Sequence, residues 1–536
     1  MKQARFVSLL LMAVWTFTAY GQGIRYLHPV FDSVSVSNTF YGMNVTILSV
    51  PTTGKGTRVP LPVSIYSPTG DTVKNRPLVI YIHTGNFLPF PQNQGTAGRT
   101  VNGGALAALG MGFPVDSPLV EICTRLAKMG YVVAAIDYRT GWNPVASTQT
   151  ERVNTLINAA YRGVQDFRTA VRFFKKTFKE AGNPYGIDTS KIVAWGQGSG
   201  GYVSLASSVL DNYLDIPLAS KGKFIGPDIT GDGFGDPYVL PPVHGDIYGT
   251  SLGINPTNGD TLSLPNHVGY SSDFQLSVNM GGALPDTLWL DATDLPLISF
   301  QEPRDPFAPY KEGLVLVPRG TMAPLPVVEV QGSYLAVEKA RRLGLQKKMI
   351  DLKLNDVYTQ AANVKNDGIE GLYPISGNPL NPLDSDPWNW WDTAFMASVE
   401  RQAGTGNNTN GLLTNPDMSA AKARRYIDTI IGYYAPRAFA VLNLGTFVNT
   451  PDLLKDTDVG FKLMPNPMVN QTLLQTNPDF PMKSVTLYDL NGRVVRKLSG
   501  LNTNSITVHR NELSQGAYIL QVGFKKGVIS KTLLIQ

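Results

Sequence analysis

In the first half of the chain, hydrophobic residues occur in two patterns that alternate along the sequence: continuous apolar runs, and stretches with helical spacing. Continuous apolar runs at 78–82, 131–136 and 192–195 have the length of strands that are buried on both faces. Between these runs, apolar residues recur every three or four positions, which predicts helices over about 119–129 and 155–179. Strands that alternate with helices predict a parallel sheet with helices on both faces. The predicted fold class of this part of the chain is therefore α/β.

The α/β pattern continues with a strand over 295–300 and helices around 334–343 and 420–434, the last of which is expected to close the domain. Two loop-rich insertions, at about 211–275 and 355–417, interrupt the pattern. On an α/β scaffold such insertions gather above the carboxyl edge of the sheet, where ligands bind.

After about residue 460 the pattern changes to short alternating strands separated by polar turns. An Asn-Gly pair at 491–492 between two alternating runs is typical of a hairpin. This pattern predicts a small C-terminal all-β sandwich domain over 460–536, joined by a linker at 451–459 to an α/β domain over 22–450.

Composition and charge exclude several classes of protein. Hydrophobic residues make up 43% of the 536 positions and charged residues 16%, which indicates a folded chain rather than a coiled coil or a disordered one. The net charge of +5 is spread thinly, without a block of Lys and Arg, so nucleic acid is excluded as a partner. A single cysteine, Cys123, excludes an intramolecular disulfide, and its setting on the apolar face of a predicted helix indicates a core residue.

The first residues are typical of a secretory signal peptide. Lys2 and Arg5 precede an apolar stretch at 6–17, and small residues lead to a cleavage site after Gly21. No later segment approaches the ~18 consecutive apolar residues of a transmembrane helix. We therefore expect residues 1–21 to be removed and the protein to be exported through the periplasm, without a transmembrane segment.

The tail resembles the type A C-terminal sorting domain of the type IX secretion system. The resemblance is carried by PNP at 465–467, LYDLNGRVV at 487–495, LSQGAYILQV at 513–522 and KTLLIQ at 531–536. It implies that the type IX machinery is a partner and that the protein is secreted or held at the outer cell surface. The alternative is an adhesive or carbohydrate-binding sandwich.

The larger part of the chain, from about 55 to 440, resembles secreted carboxylesterase-like α/β-hydrolases. The resemblance is carried by five segments in the same order and spacing: RPLVIYIHTGNF at 76–87, GYVVAAIDYRTG at 130–141, QDFRTAVRFFKK at 165–176, KIVAWGQGSGG at 191–201 and DLPLISFQEPRDPFAPY at 294–310. It implies an α/β-hydrolase fold with loop-rich insertions, and no organic cofactor.

The resemblance places a glycine at the nucleophile position. The family's elbow, Gly-x-Ser-x-Gly, puts the nucleophile at the tip of a strand-to-helix turn, and that tip falls on Gly198. Ser199 follows the tip, where the family uses only a backbone N–H. Shifting the motif to place Ser199 at the tip puts Gln197 at a flanking position, where a side chain crowds the turn.

The remaining parts of the implied site are also altered. Asp305 stands at the acid position. The oxyanion loop retains Gly85 but has Thr84 and Asn86 in place of two glycines, and Ser199 is its implied fourth member. In the family's order the histidine follows the acid, and the only histidine after Asp305 is His509, inside the sorting tail.

Four other histidines precede the acid. His28 lies before the sheet. The resemblance implies a structural role for His83, the first residue of the oxyanion loop. His244 and His267, in the first insertion, are the alternative bases. These observations predict a pseudo-hydrolase that binds a small molecule, glycan or protein, or serves as an extracellular structural component. The alternatives are an active carboxylesterase that uses Ser199 with a non-standard base, and a carbohydrate-associated accessory protein.

Two further motifs carry possible chemistry. Asp228, Thr230, Asp232, the carbonyl of Phe234 and Asp236 have the oxygen spacing of a short calcium loop, although Val239 stands where an EF-hand has its glutamate. The loop predicts a structural Ca²⁺, the alternative being an Asp/Gly-rich surface turn. In the second insertion, three tryptophans either pack the insertion onto the domain or form a platform for sugars: Trp388, Trp390 and Trp391.

Overall fold

A computed structural model describes most of the chain. The described residues are 24–89, 92, 99–100, 106, 109–228, 231–319, 322–445, 454–489, 494–525 and 527–536. They form two compact units, Met1–Gly445 and Thr446–Gln536. The predicted signal peptide at 1–21 and the Asn-Gly turn at 491–492 lie outside the described residues. The boundaries drawn from the sequence at 450 and 460 stay predictions.

The large unit is built on an eight-stranded sheet. Its strands in chain order are β1 (Val34–Thr46), β2 (Thr57–Pro68), β3 (Arg76–Ile82), β4 (Val132–Ile136), β5 (Ile187–Gln197), β6 (Leu276–Met280), β7 (Leu297–Gln301) and β8 (Leu372–Pro374). Their spatial order is β1-β2-β4-β3-β5-β6-β7-β8. The pairs β1–β2 and β2–β4 are antiparallel, and the six strands from β4 to β8 pair in parallel. The predicted α/β fold with a parallel sheet is confirmed.

The central strands are buried, although some of them contain polar residues, as β6 and β7 do. Every residue of β3, β4, β6 and β7 is buried, as expected for strands covered on both faces. Three strands were not predicted: β1, β6 and β8. Strand β6 contains the polar residues Ser277 and Asn279, which interrupt its apolar pattern. The edge strand β1 is half exposed and interrupted by a bulge between Phe40 and Gly42, and β8 has only three residues, so neither shows a clear period.

Five main helices flank this sheet: α1 (Ser117–Lys128), α2 (Gln149–Glu180), α3 (Ser199–Val209), α4 (Ser333–Arg342) and α5 (Ala420–Val441). Helix α2 begins six residues before the predicted start because the Thr148 hydroxyl accepts the N–H of Glu151 and so caps a polar first turn. Cys123, on α1, is fully buried, as predicted.

The predicted second insertion, at 355–417, contains β8 and is therefore in part a piece of the sheet itself. Otherwise the described residues of the two insertions contain short elements: helices Tyr213–Asp215, Ser220–Gly222, Pro241–His244, Val357–Asn363, Thr393–Ala403 and Asn407–Thr414, and strands Gly253–Ile254 and Thr261–Ser263. A hairpin that was not predicted, Glu312–Arg319 with Met322–Gln331, lies between β7 and α4. Other short elements are Val50–Thr53, Arg99–Thr100, Phe113–Pro114, Lys347–Ile350 and Asp456–Val459.

The tryptophans of the second insertion pack into the large unit. Trp388 is fully buried and Trp391 is 6% exposed, with its indole N–H donating to Asn408 at 3.0 Å. Trp390 is half-buried, and the guanidinium of Arg424 lies 5.5 Å from its ring centroid. These positions favour packing over an exposed platform for sugars.

The C-terminal unit is all-β, as predicted. One sheet contains Lys462–Met464, Gln471–Gln475 and Ser505–His509, and the other contains Val494–Thr503, Met482–Tyr488, Gly516–Gly523 and Val528–Ile535. All pairs within the two sheets are antiparallel. Within the described ranges of both units, no helix is long and apolar enough to cross a bilayer.

Candidate functional site

A cavity of about 780 Å³, including its open mouth, lies at the carboxyl edge of the large sheet. Five parallel strands each contribute residues from the loop that follows them. Thr84 follows β3, Ser199 follows β5, Gly281 follows β6, Asp305 follows β7 and Asp386 follows β8. Ligands of open α/β sheets bind at this edge, and the cavity is therefore the candidate site.

Gly198 occupies the tip of the turn between β5 and α3. Its backbone has φ +54° and ψ −118°, a conformation that residues with a Cβ rarely adopt. The flanking glycines are required by close packing, because a Cβ on Gly196 would lie 1.9 Å from the Gly200 carbonyl oxygen, and one on Gly200 would lie 2.0 Å from that of Ile82. Ser199 is the first residue of α3 and not the tip of the turn.

The side chain of Thr84 fills the space beside this tip. A Cβ built on Gly198 would lie 2.0 Å from Thr84 Oγ1 and 2.9 Å from Thr84 Cβ. Both distances are far below van der Waals contact. A nucleophilic side chain at 198 and the threonine at 84 are therefore incompatible without a local shift.

The hydroxyl of Ser199 is hydrogen-bonded to a tyrosine. Its Oγ lies 2.9 Å from the phenolic oxygen of Tyr138, which in turn donates to the carbonyl of His83 at 3.0 Å. Because the phenol proton goes to that carbonyl, Ser199 is the donor to Tyr138. Ser199 is 4% exposed and lines the cavity, but this contact gives it no base.

The histidines that were considered as bases make other contacts. His83 is buried, with Nε2 at 3.0 Å from Asp137 Oδ1, and its Nδ1 contacts the carbonyl of Thr84. His267 Nε2 donates to the carbonyl of Tyr41 at 2.7 Å, and His244 lines a different cavity. Among the residues described, no histidine lines the candidate site.

Asp305 is held where the resemblance implies the acid. Its Oδ1 accepts the N–H of Phe307 at 2.8 Å, and its Oδ2 accepts the hydroxyl of Ser385 at 2.9 Å. Ser385 lies in the loop after β8, the last strand of the sheet. In a catalytic triad the acid accepts this hydrogen bond from the histidine. Here a serine side chain makes it.

A second carboxyl group, that of Asp386, lies beside Asp305. An atom placed as the Cβ of Gly281 would lie 3.2 Å from Asp386 Oδ1 and 3.7 Å from Asp305 Oδ2. Asp386 Oδ1 is buried and, within the described part of the chain, has no hydrogen-bond partner. Burial and the neighbouring Asp384 raise the pKa of Asp386 to about 7. Burial and Asp386 also raise the pKa of Asp305 well above its ordinary value.

The wall of the cavity is apolar away from this acid pair. It is lined by Phe87, Trp142, Val153, Leu156, Ile157, Ala160, Phe224, Val315, Val328 and Val330. A second cavity of about 400 Å³ shares the polar end and is lined further by Asn389, Trp391, Thr414 and Asn415. An apolar chamber and a polar chamber therefore meet at a shared boundary that includes Ser385 and Asp386.

The predicted oxyanion loop lies at the same polar end. Thr84, Asn86 and Ser199 line the cavity, and Gly85 lies between the first two with φ +136°. Asn86 and Phe87 continue the loop with φ +54° and +55°, which is uncommon for residues other than glycine. The Phe87 carbonyl accepts the N–H of Gly141 at 2.9 Å, which helps to hold this conformation.

The predicted calcium loop lies apart from this cavity, and Thr230 is outside the described residues. Asp228 accepts the N–H groups of Gly231 at 2.6 Å and Gly233 at 2.9 Å, and Asp232 accepts the N–H of Phe234 at 2.9 Å. Asp236 closes the loop through its carbonyl, which accepts the N–H of Gly226 at 2.7 Å. Within the described ranges, no three His, Cys, Asp or Glu side chains are gathered for a metal ion. Calcium binding stays a prediction.

Ser385 and Asp386 line the site but were not predicted from the sequence, and neither was Asp384, which helps to raise the pKa of Asp386. The available signal was the run Asp384-Ser385-Asp386-Pro387 in front of the first tryptophan of the insertion. It was not used because β8, the strand that brings this loop to the sheet edge, has only three residues and was not recognised.

Comparisons with known proteins support the two-part organisation. Residues 462–536 match the secretion system C-terminal sorting domain family, and residues 100–223 match the BD-FAE family. No curated protein matches the chain significantly. Similar solved structures include esterase 2 of Thermogutta terrifontis phosphorylated by paraoxon, at 16% identity over 51% of this chain and 73% of that one, with a TM-score of 0.27. The same esterase phosphoramylated by tabun matches at 14% identity over 69% and 92%, with a TM-score of 0.30.

The strand order and the two family matches agree with the resemblances that the motifs carry. The sorting domain marks proteins that are secreted or displayed on the cell surface. The chain is a type IX secretion cargo that carries an esterase-like α/β-hydrolase domain followed by a C-terminal sorting domain.

Proposed function

We propose that the esterase-like domain binds a ligand at the cell surface or outside the cell and does not hydrolyse esters by triad chemistry. The observation that carries this proposal is the state of the nucleophile position. Gly198 has the backbone of an elbow tip, and the side chain of Thr84 takes the space that a nucleophile there would need. The hydrogen bond from Ser385 to Asp305 supports it, because the acid is already occupied by a group that cannot act as a base.

The expected loss of rate is large. Removing the serine or the histidine of a comparable triad costs on the order of 10⁶ in turnover, and only about 10³–10⁴ over water remains from binding and oxyanion donors. We therefore expect a binding cleft rather than an efficient esterase.

The chemistry of the cleft favours a particular class of ligand. Its apolar chamber suits a hydrocarbon or aromatic body, since burial of apolar surface stabilises binding. Above the pKa of Asp386, about 7, its carboxylate at the polar end accepts hydrogen bonds or pairs with a positive charge, whereas a carboxylate ligand is repelled. We propose a ligand with an apolar body and a head group that is an amine or another hydrogen-bond donor.

A carbohydrate-associated role has less support. Trp388 and Trp391, two of the three tryptophans that suggested a sugar platform, are buried in the domain. The wall of the larger cavity is also mostly aliphatic and aromatic. These features favour an apolar ligand over an extended glycan.

The absence of triad catalysis is tested on the purified full chain with short-chain nitrophenyl esters. Two hydroxyl groups line the polar end, so Ser199→Ala and Thr84→Val are assayed beside the parent protein. We expect hydrolysis close to the buffer rate in all three proteins. Robust turnover in the parent that either substitution abolishes would overturn the proposal.

Ligand class is tested by calorimetry with octylamine, octanol and octanoate, which share one hydrocarbon body. We expect octylamine to bind most tightly and octanoate most weakly. Because the pKa of Asp386 is about 7, octylamine affinity should rise several-fold as the pH increases through that value and the carboxyl group loses its proton. Asp386→Asn should remove this increase. Equal affinity for the amine and the carboxylate would contradict the proposed ligand class.

A further inference from the structure

A third cavity, the one that contains His244, lies on the opposite side of helix α2 from the candidate site. It has about 630 Å³ of space, including its open mouth, and is lined by Ile47, Gly141, Asn154, Thr155, Asn158, Tyr161, Arg162, His244 and Leu262. The α2 residues at 153, 156, 157 and 160 line the candidate site, and those at 154, 155, 158, 161 and 162 line the third cavity. Helical periodicity places these two sets on different faces, so one helix separates two distinct cavities.

Arg162 is a buried cation for which the described residues provide no counter-ion. Its side chain is 6% exposed, and its hydrogen bond is from Nη2 to the carbonyl of Thr140 at 3.1 Å. Its Nε is buried and, in the part of the chain described, has no hydrogen-bond partner. The nearby carboxylate of Asp166 is already paired with Arg139, at 2.8 Å from its Nη2. A buried charge of this kind is costly unless something pairs with it.

Two neighbouring buried arginines differ from Arg162 in how their donors are used. Arg168 donates to the carbonyls of Ile247, Ser207 and Leu210, and Arg172 donates to those of Asn266, Tyr248 and Gly249. Their guanidinium groups thus join α2 to the first insertion and, for Arg168, to the end of α3. The guanidinium of Arg162 instead lines an open cavity with part of its donor capacity unused.

His244 contributes a second donor to the same cavity. Its Nδ1 lies 3.0 Å from the backbone N of Leu240 and 3.2 Å from the Leu240 carbonyl oxygen. We assign the shorter contact, in which Nδ1 accepts the N–H, and this assignment places the proton of the neutral ring on Nε2. Burial and the positive charge of Arg162 lower the pKa of His244 to about 4, which keeps this ring neutral at physiological pH. Burial and Arg139 lower the pKa of Arg162 to about 9, so its guanidinium remains charged there.

We infer that this cavity is a binding site for a small oxyanion, a carboxylate or a phosphate, held by the guanidinium of Arg162 and the Nε2–H of His244. The planar fork of an arginine matches the paired oxygens of both groups. An anion would supply the missing counter-charge without displacing an existing ion pair. The site is independent of the function proposed for the larger cavity.

The test uses thermal melting and calorimetry on the full chain with sodium phosphate, sodium acetate and sodium chloride at equal ionic strength. We expect phosphate or acetate, at tens of millimolar, to raise Tm by about 2–5 °C over chloride. A response to phosphate alone identifies a phosphate-type ligand, and a response to acetate identifies a carboxylate. No shift with either anion overturns the inference.

Arg162→Met separates specific binding from a general salt effect. We expect this variant to lose the anion-dependent shift and to melt in chloride at or above the temperature of the parent, because an unpaired buried charge has been removed. Arg342→Met is the matched control, since Arg342 is an exposed arginine paired with Glu338 at 2.7 Å. It should keep the full shift. An equal shift in Arg162→Met and the parent overturns the inference.

A more conservative variant covers the case in which Arg162→Met does not fold. Arg162→Lys keeps the charge but loses the planar fork, and we expect it to weaken binding of the effective anion at least tenfold by calorimetry. His244→Gln should weaken it several-fold. Unchanged affinity in both variants contradicts the assignment of these two side chains.

Discussion

Thr84 and Gly198 compete for the same space at the tip of the turn between β5 and α3. The conformation of Gly198 already disfavours a side chain, and the position of Thr84 adds a steric conflict. The two penalties have different origins, one in the backbone and one in packing. They are therefore separable by substitution.

We predict that Gly198→Ala lowers the free energy of unfolding of the large unit by about 2–4 kcal/mol, from backbone strain and overpacking together. Urea denaturation of the purified protein measures this change. The double variant Thr84→Gly/Gly198→Ala should be destabilised by about 1–2 kcal/mol less than the sum of the single variants, because the packing conflict is removed. Strict additivity would mean that Thr84 does not occupy the space as described.

Asp386 gives the large unit a characteristic pH dependence. Its pKa of about 7 in the folded state exceeds the ordinary value near 3.9, so the folded protein binds more protons between these values. Its contribution to stability is therefore present below about pH 4 and is lost as the pH rises through about 7. We expect the free energy of unfolding to fall by about 2 kcal/mol over this interval, and Asp386→Asn to flatten the decline.

Denaturation series at several pH values measure this slope. Asp273→Asn, at an exposed aspartate of the first insertion, should leave the slope unchanged. A slope that is the same in Asp386→Asn and the parent would show that the acid pair does not hold an excess proton.

The sequence predicted single positions better than the contacts between them. The family resemblance implied Gly198 as the nucleophile position and Asp305 as the acid position, and both residues lie in loops at the carboxyl edge of the sheet. The hydrogen bond from Ser385 to Asp305 joins residues 80 positions apart, and the fit of Thr84 beside Gly198 depends on how two loops meet. Neither contact has a local pattern, because both arise only when strands distant in sequence become neighbours.

At the scale of secondary-structure elements, a continuous apolar run decided what was predictable. Strands β3 and β4 contain such a run and were predicted, whereas β6, which is buried throughout but contains Ser277 and Asn279, was missed. The edge strand β1, the three-residue β8 and the hairpin Glu312–Arg319 with Met322–Gln331 lack such a run. The hairpin supplies Val315, Val328 and Val330 to the apolar wall, so missing it also hid the character of the cavity.

The loop around Asp228 and Asp232 carries the prediction of calcium binding. We expect millimolar Ca²⁺ to raise Tm by about 1–5 °C relative to a chelator, because the carboxylates would turn from backbone amides to the ion. Differential scanning fluorimetry checks this shift. Asp232→Asn should abolish it and Asp273→Asn should not. Identical melting with Ca²⁺ and chelator would identify the loop as a surface turn.

At the scale of the whole molecule, the two compact units have separate tasks. The large unit has its own core and cavities, and the tail has its own core of buried residues that includes Val485, Leu520 and Leu533. The hydrophobic pattern changes near residue 460, and this change predicted two domains, because short alternating strands differ visibly from the longer apolar runs of an α/β sheet.

We predict that a chain lacking residues 462–536 folds but is not exported past the outer membrane. In a bacterium with a type IX system, fractionation should recover the truncated protein from the periplasm and the full chain from the cell surface or medium. Circular dichroism and melting of residues 24–445 should show a folded α/β domain. Surface or medium levels equal to those of the full chain would contradict the role of the tail.

The conflict between positions 84 and 198 also constrains the mutational paths open to this gene. A serine codon at 198 would be disfavoured as a first step, since the new side chain meets Thr84 before any base is present to use it. The glycine at 84 would have to come first, with no catalytic benefit of its own. Reaching a working triad from this sequence therefore requires epistatic changes in a fixed order, including an imidazole in the loop after β8, and selection on esterase activity cannot act until the last of them is made.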